Sequence, residues 1–140
     1  MNIILNYIRS RVQERNMIKS YTDLEQSKKL AEILPLESAD MYYWCADHYP
    51  KEDWIIEVGE PDDNYECICA WSLAALRNLL PVAIKVNENT YLFESHNTFD
   101  KSWVYRYYNE DDTSYLYYKN TSEIDACVAM IEKLYELNLL

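Results

Sequence analysis

The chain has 140 residues, of which 49% are hydrophobic, so it fits one domain with a packed core and is not a wholly disordered protein. Gly59 is its only glycine, which excludes the Gly-rich phosphate loops of nucleotide-dependent enzymes and the G-x-S-x-G elbow of many hydrolases. The net charge is −11, from 24 acidic and 13 basic residues, and such a chain repels nucleic-acid phosphates and acidic membrane surfaces.

Residues 1–20 are predicted to form a helical extension in front of the domain. Ile4, Ile8 and Val12 recur at helical spacing, although two arginines fall near the same face. This stretch also differs in charge, because it holds four basic residues and one acidic residue. The domain itself is therefore predicted at 21–140.

Three helices are predicted within that domain. Thr22-Asp23-Leu24-Glu25 has the pattern of a capping box, with Thr22 as the cap of a helix that Pro35 ends. Ser72 is predicted to cap a short helix that ends at Pro81, and Ser122 is predicted to cap the last helix of the chain.

Alternating apolar residues and turn signals predict several short strands. The strands are expected at 41–45, 54–58, 65–69, 82–86, around 91–93, at 102–108 and at 114–119. Pro, Asp and Asn at 60–64 predict a turn that pairs the second strand with the third as a hairpin. Two further hairpins are expected through Asn87-Glu88-Asn89 and through residues 109–113.

This order of elements predicts the fold class. Strands joined by tight turns pair antiparallel, and helices before and after them can cover one face of the resulting sheet. We therefore expect an α+β fold with a single domain, in which an antiparallel sheet of hairpins is packed on one face by helices.

Three stretches of the sequence carry a family resemblance. They are Tyr21-Thr22-Asp23-Leu24-Glu25 running on to Asp40-Met41-Tyr42, then Trp71-Ser72-Leu73 through Pro81, then Asp125-Ala126-Cys127-Val128 through Leu137. In this order, over most of 21–140, they resemble a family of small proteins encoded by gut Bacteroidetes and by the phages and mobile elements that live in them. The resemblance implies an intracellular product and is compatible with a phage origin. No activity is attached to the family, so no catalytic residue is carried over.

The cysteines and the first residues of the chain indicate in which cellular compartment the protein is expected. The apolar run at 3–5 is too short for a signal peptide, and no stretch approaches the ~20 apolar residues of a membrane span. We expect a cytoplasmic protein without a membrane segment, in which the four cysteines stay reduced and pack as small apolar side chains.

No complete catalytic or metal-binding motif stands out. Cys45, Asp47 and His48 are close in sequence, but a catalytic triad is a matter of geometry and not of sequence proximity. Cys67 and Cys69 could join Cys45 and His48 around zinc, yet the C-x-x-C spacing typical of closed zinc sites is missing. We therefore predict no catalytic residue, no metal and no cofactor.

The aromatic content is the most unusual feature, since 14 of the 140 residues are tyrosine. Trp103, Tyr105 and Tyr107 share one face of a predicted strand, and Tyr115 and Tyr117 share one face of its partner. Tyrosine suits binding surfaces because it brings a large contact area with few rotatable bonds. We predict these five residues as an interaction surface. The competing explanation is a solvent-facing sheet stabilised by cross-strand aromatic pairs.

Negative charge is concentrated at 40–66, where nine acidic residues meet only Lys51. The predicted acidic patch consists of Asp47, Glu52, Asp53, Glu57, Asp62 and Asp63. The leading hypothesis is a non-enzymatic protein-interaction module that binds through the Tyr-rich hairpin, while this patch steers a protein partner that is basic or carries a basic groove. The alternative explanation is that the negative charge only keeps the protein soluble.

Two other functions remain open from the sequence. The first is an acidic inhibitor that imitates nucleic acid and occupies the groove of a host defence enzyme or another DNA- or RNA-binding enzyme. It needs carboxylates spaced like phosphates along a continuous face. The second is an enzyme or small-ligand binder with an unfamiliar site, which requires a concave pocket with convergent polar groups.

Overall fold

The computed structural model describes residues 19–45, 54–62 and 64–140. In chain order these residues form α1 (Leu24–Ile33), a 3-10 turn (Leu36–Ser38), β1 (Met41–Cys45), β2 (Ile55–Val58), β3 (Glu66–Ala70), α2 (Leu73–Leu79), β4 (Ala83–Val86), β5 (Asn89–Asn97), β6 (Trp103–Tyr108), β7 (Ser114–Asn120) and α3 (Glu123–Glu136). The predicted helical extension at 1–20 lies outside the described residues, apart from its last two positions.

The strands form two antiparallel sheets, with orders β2-β1-β3 and β4-β5-β6-β7. The α+β class and the antiparallel pairing are confirmed, but the chain divides its strands between two sheets where one was expected. The two hairpins predicted in the second half of the chain are confirmed as β4–β5 and β6–β7. At the first of them, Asn87 and Glu88 both have positive φ, which is the backbone conformation of a tight two-residue turn.

The predicted hairpin between 54–58 and 65–69 is wrong, because β1 lies between β2 and β3. Tyr43 of β1 is paired with Ile56 on one side and with Ile68 on the other. β1 holds two buried residues, whereas three of the four residues of β2 are exposed. The more buried strand takes the middle position, where its backbone is paired on both edges.

Helix α1 begins one residue later than predicted. Asp23 is its cap: the Asp23 carboxylate accepts a hydrogen bond from Gln26 N over 2.7 Å, and Gln26 Oε1 accepts one from Asp23 N over 3.1 Å. Thr22 is fully buried, and its hydroxyl bonds the Ser27 hydroxyl at 2.7 Å and accepts from Trp71 N at 3.1 Å. Thr22 therefore fastens α1 to the segment that enters α2 and is not free to cap.

The other two predicted caps are confirmed. The Ser72 hydroxyl accepts from Ala75 N over 3.1 Å, and the Ser122 hydroxyl accepts from Asp125 N over 3.3 Å. Helix α3 packs against β6 and β7, and α2 packs against α3. None of the helices in the described ranges is both long enough and apolar enough to cross a membrane.

One hydrophobic core joins the helices to the four-stranded sheet. Its largest fully buried side chains include Trp71, Tyr105, Tyr107, Ile124 and Met130. The three-stranded sheet is tied to α1, since β3 contacts this helix and the Tyr43 hydroxyl of β1 donates to the Thr22 carbonyl over 2.7 Å. Tyr42 and Trp44 alternate with Tyr43 and therefore lie on the opposite face of this sheet.

Candidate functional site

The structure divides the predicted interaction surface between the core and the exterior. Tyr105 and Tyr107 are both 0% exposed, so their assignment to an exposed binding surface is wrong. The face of β6 that carries them packs on α3, and both rings belong to the core. Trp103 is half-buried, whereas Tyr115 and Tyr117 of β7 are 38% and 52% exposed. Only part of the predicted surface is thus available to a partner.

The outer face of the four-stranded sheet is occupied by a charged network. Arg106, which is aligned with Tyr117 on β7, binds Glu94 at 3.1 Å and Asp112 at 2.8 Å. Its guanidinium also lies 4.6 Å from the centre of the Tyr108 ring. Burial alone would raise the pKa of Glu94, but hydrogen bonds from Arg106 and from a neighbouring histidine outweigh it and lower that pKa. This surface resembles a solvent-facing sheet with charged cross-strand pairs more than an apolar docking patch, although the buried Nε of Arg106 has no hydrogen-bond partner among the described residues.

A second polar network lies on the helix side of the same sheet. Tyr105 donates to Glu123 Oε2 over 2.6 Å, and Arg77 donates to the Tyr105 hydroxyl over 2.7 Å and to Glu123 over 2.8 Å. Burial raises the pKa of Tyr105, and burial raises the pKa of the adjacent Cys127 thiol to about 12. Both groups are protonated at neutral pH, so this network joins helices to sheet and holds no activated nucleophile.

The candidate site lies on the three-stranded sheet, on the face that carries Tyr42 and Trp44. The register places Tyr42 opposite Glu57 of β2 and Trp44 opposite Cys67 of β3. The ring of Tyr65, which precedes β3, packs against the ring of Trp44 with their centres 5.2 Å apart and their planes at 50°. The three rings form an aromatic wall that is assembled from two parts of the chain.

These side chains enclose a half-open cavity of about 130 Å³. Its lining consists of Tyr42, Trp44, Glu57, Asp62, Tyr65 and Cys67, and we call it the aromatic pocket. The indole Nε1 of Trp44 is buried and has no hydrogen-bond partner within the described part of the chain. Because an indole N–H is a donor only, this group of a pocket residue leaves one hydrogen bond unmade as far as the described residues are concerned.

Glu57 supplies the first carboxylate of the pocket. The Tyr42 hydroxyl donates to Glu57 Oε2 over 2.8 Å, and this hydrogen bond raises the pKa of Tyr42 because it stabilises the protonated phenol. Among the described residues only Oε2 of Glu57 has a donor, so with respect to them Oε1 is open to a further donor.

Asp62 supplies the second carboxylate, from the turn predicted at 60–64. Its Oδ1 accepts from the backbone N and from the side-chain Nδ2 of Asn64, both at 2.9 Å, and its carbonyl accepts from the Cys67 thiol at 3.5 Å. The turn is therefore self-supporting and presents the other oxygen, Oδ2, without a donor from the described residues. Neither Glu57 nor Asp62 forms an ion pair with any described residue, so the negative charge of the pocket is uncompensated there.

Two residues of the predicted acidic patch line this pocket. Glu57 and Asp62 are brought together in its lining, while Asp47, Glu52, Asp53 and Asp63 lie outside the described residues. Sequence reasoning missed the aromatic half of the site. The signal for it was the spacing of Tyr42 and Trp44, which places two large rings on one strand face in the most acidic region of the chain.

The described ranges contain no group of three or more His, Cys, Asp or Glu side chains arranged to hold a metal ion. His48, one member of the zinc set considered above, lies outside these ranges. Comparisons of the chain with protein-family models, with curated proteins and with solved structures gave no match. The resemblance to a family of Bacteroidetes and phage proteins therefore stays a prediction.

Proposed function

We propose that the protein is a non-enzymatic interaction module that binds a basic segment of another protein through the aromatic pocket. The observation that carries this proposal is the meeting of three aromatic rings with two carboxylates that have no described ion-pair partner. Aromatic faces and carboxylates both attract cations, and few other ligands satisfy both at once.

The charge of the whole chain supports the same partner class. A net charge of −11 slows the approach of polyanions and speeds the approach of a basic protein. Cation–π contacts are worth about 0.5–2 kcal/mol and a hydrogen bond to a charged group about 1.5–3 kcal/mol. One anchored cation thus gives a weak contact by itself, and the surrounding surface must supply the rest of the affinity.

The size of the pocket favours a side chain over a metabolite. Sites for small molecules and cofactors usually enclose about 300–1,000 Å³. The aromatic pocket encloses about 130 Å³, which is room for the head group of one side chain. For this reason we favour binding over catalysis. The proposed function belongs to the cytoplasm, a reducing compartment in which the thiols of the four cysteines would stay reduced.

The proposal is tested by affinity capture from the native cytosol with an isosteric pocket variant, Glu57→Gln with Asp62→Asn. Both substitutions keep the oxygen that accepts from Tyr42 or from Asn64, so the sheet and the turn should be retained. The matched control is Glu110→Gln with Asp111→Asn, which removes the same charge from the exposed β6–β7 turn.

We expect wild type and control to recover the same basic protein and the pocket variant to lose it. Equal recovery by the pocket variant and the control would show that total charge, and not this pocket, attracts the partner. Loss in both variants, with a steep dependence on salt, would favour the inhibitor that imitates nucleic acid.

A further inference from the structure

Resting on the proposed function, we infer that the aromatic pocket selects arginine over lysine and over methylated lysine in the bound segment. The ligand class is therefore a guanidinium group presented by a partner protein.

The open oxygens require a ligand with several donors. Oε1 of Glu57 comes from β2 and Oδ2 of Asp62 comes from the turn, so they belong to different elements on the rim of the same pocket. A guanidinium has five N–H donors in a rigid planar fork, which is enough to supply a hydrogen bond to each of the two oxygens. A trimethylated ammonium has no donor, so its entry would strip water from both carboxylates without replacing the hydrogen bonds.

The rings favour the same group. Guanidinium is planar and weakly hydrated and stacks on aromatic faces, whereas the lysine ammonium is a compact and strongly hydrated charge. The three cation–π contacts recorded among the described residues all involve arginine: Arg77 with Phe93 and with Tyr105, and Arg106 with Tyr108.

Two internal sites of the chain show the complete arrangement. Arg106 lies over the Tyr108 ring while it binds Glu94, and Arg77 lies over the Tyr105 ring while it binds Glu123. In each case one guanidinium lies within 5.4 Å of the centre of a tyrosine ring and pairs with a carboxylate, and Arg77 also donates to the Tyr105 hydroxyl. The aromatic pocket offers the same two components and has no described cation in it.

The volume also agrees with a guanidinium. A cavity of about 130 Å³ is well below the ~300–1,000 Å³ of sites that hold whole small molecules. A guanidinium has four non-hydrogen atoms and fits such a space, with its aliphatic stem leaving through the open side toward the backbone of the partner.

The test uses the full chain and three synthetic peptides with a neutral Gly/Ser sequence and one central residue, which is arginine, lysine or trimethyllysine. Binding is followed by NMR through the indole N–H resonance of Trp44, assigned by its disappearance in Trp44→Phe. We expect the arginine peptide to bind about tenfold more tightly than either alternative, as the loss of one charged hydrogen bond predicts. N-acetylarginine amide is a fourth ligand and shows whether the free side chain suffices.

The variants separate selectivity from charge. Glu57→Gln with Asp62→Asn should reduce the preference for arginine to nearly nothing, while Glu110→Gln with Asp111→Asn should leave it unchanged. Equal affinities for the arginine and lysine peptides, or a preference for either lysine form, would overturn the inference and leave the proposed function standing if capture still depends on the pocket. If no peptide shifts the Trp44 resonance and capture is also insensitive to the pocket variant, both the inference and the proposed function are wrong.

Discussion

Tyr105 donates its hydroxyl proton to Glu123 over 2.6 Å and so connects the middle of the four-stranded sheet to the first turn of α3. Arg77 of α2 binds both of these groups, at 2.7 Å and 2.8 Å. Three elements that are distant in sequence therefore meet at one phenol oxygen. A tyrosine predicted to bind a partner is instead a structural centre of the domain.

Tyr105→Phe should lower the free energy of unfolding by about 1–3 kcal/mol, because the ring stays packed while Glu123 and Arg77 lose a buried hydrogen-bond partner. Urea denaturation followed by circular dichroism measures the change. Tyr117→Phe, at an exposed position of β7, is the control and should stay within about 0.5 kcal/mol of wild type. An equally small effect at Tyr105 would mean that its hydroxyl is replaced by water without cost.

Stability in acid should depend on Asp125. Burial alone would raise the pKa of Asp125, but hydrogen bonds from Lys19 at 2.8 Å and from Gln26 at 2.7 Å outweigh it and lower the pKa below its usual value of 3.8. The stabilisation is therefore fully present above about pH 3.8 and is lost as the pH falls through the lower pKa of the folded state.

Asp125→Asn should make the free energy of unfolding less dependent on pH in this acidic range, because the variant has no carboxylate to protonate there. Denaturation at a series of pH values checks this, with Asp111→Asn as the control at an exposed turn position. An unchanged pH slope in Asp125→Asn would show that other carboxylates dominate acid unfolding.

The hydrogen bond between Tyr42 and Glu57 gives a local reporter of the aromatic pocket. It raises the pKa of Tyr42, with smaller effects from burial and from the charge of Glu57. In Glu57→Gln the acceptor is neutral, so the pKa of Tyr42 should fall toward the usual value of 10.0. An NMR titration of carbon-labelled tyrosine measures this, and Glu110→Gln should leave the resonance unaffected. An unaltered Tyr42 in Glu57→Gln would argue against the assembled pocket.

Gly59, which follows β2, should tolerate substitution poorly. Its φ is +115°, a conformation that residues with a side chain rarely adopt, although a Cβ would meet no atom within 4 Å. Gly59→Ala should therefore cost about 1–3 kcal/mol through backbone strain alone. Glu60→Ala, at the next and exposed position, is the control for thermal denaturation. If Gly59→Ala is as stable as its control, the backbone has relaxed to a different turn.

Local features of the fold could be predicted from the sequence because they depend on neighbouring residues. The caps at Ser72 and Ser122 and the hairpins around Asn87 and 109–113 involve residues within a few positions of each other. The order of strands in the first sheet could not be predicted in this way. A turn at 60–64 is compatible both with a hairpin and with two edge strands on either side of β1, and only packing decides between them.

The candidate site was predicted in part for the same reason. Glu57 and Asp62 were found from the concentration of charge, but their aromatic neighbours depend on β1 lying in the middle of the sheet. The alternation in β6 correctly grouped Tyr105 with Tyr107, yet periodicity alone does not tell which face of a strand meets the helices. That choice is made by the apolar stripe of α3, which is distant in sequence.

The two faces of β1 have different contacts, and this affects which substitutions could alter ligand binding. Tyr43 fixes the strand to Thr22 from one side, so the backbone that carries Tyr42 and Trp44 on the other side is anchored independently of the pocket. Glu57 and Asp62 come instead from an edge strand and a surface turn, and both side chains are exposed. Single substitutions at Glu57 or Asp62 could therefore change which ligand the aromatic pocket selects, while β1 and its two rings stay in place.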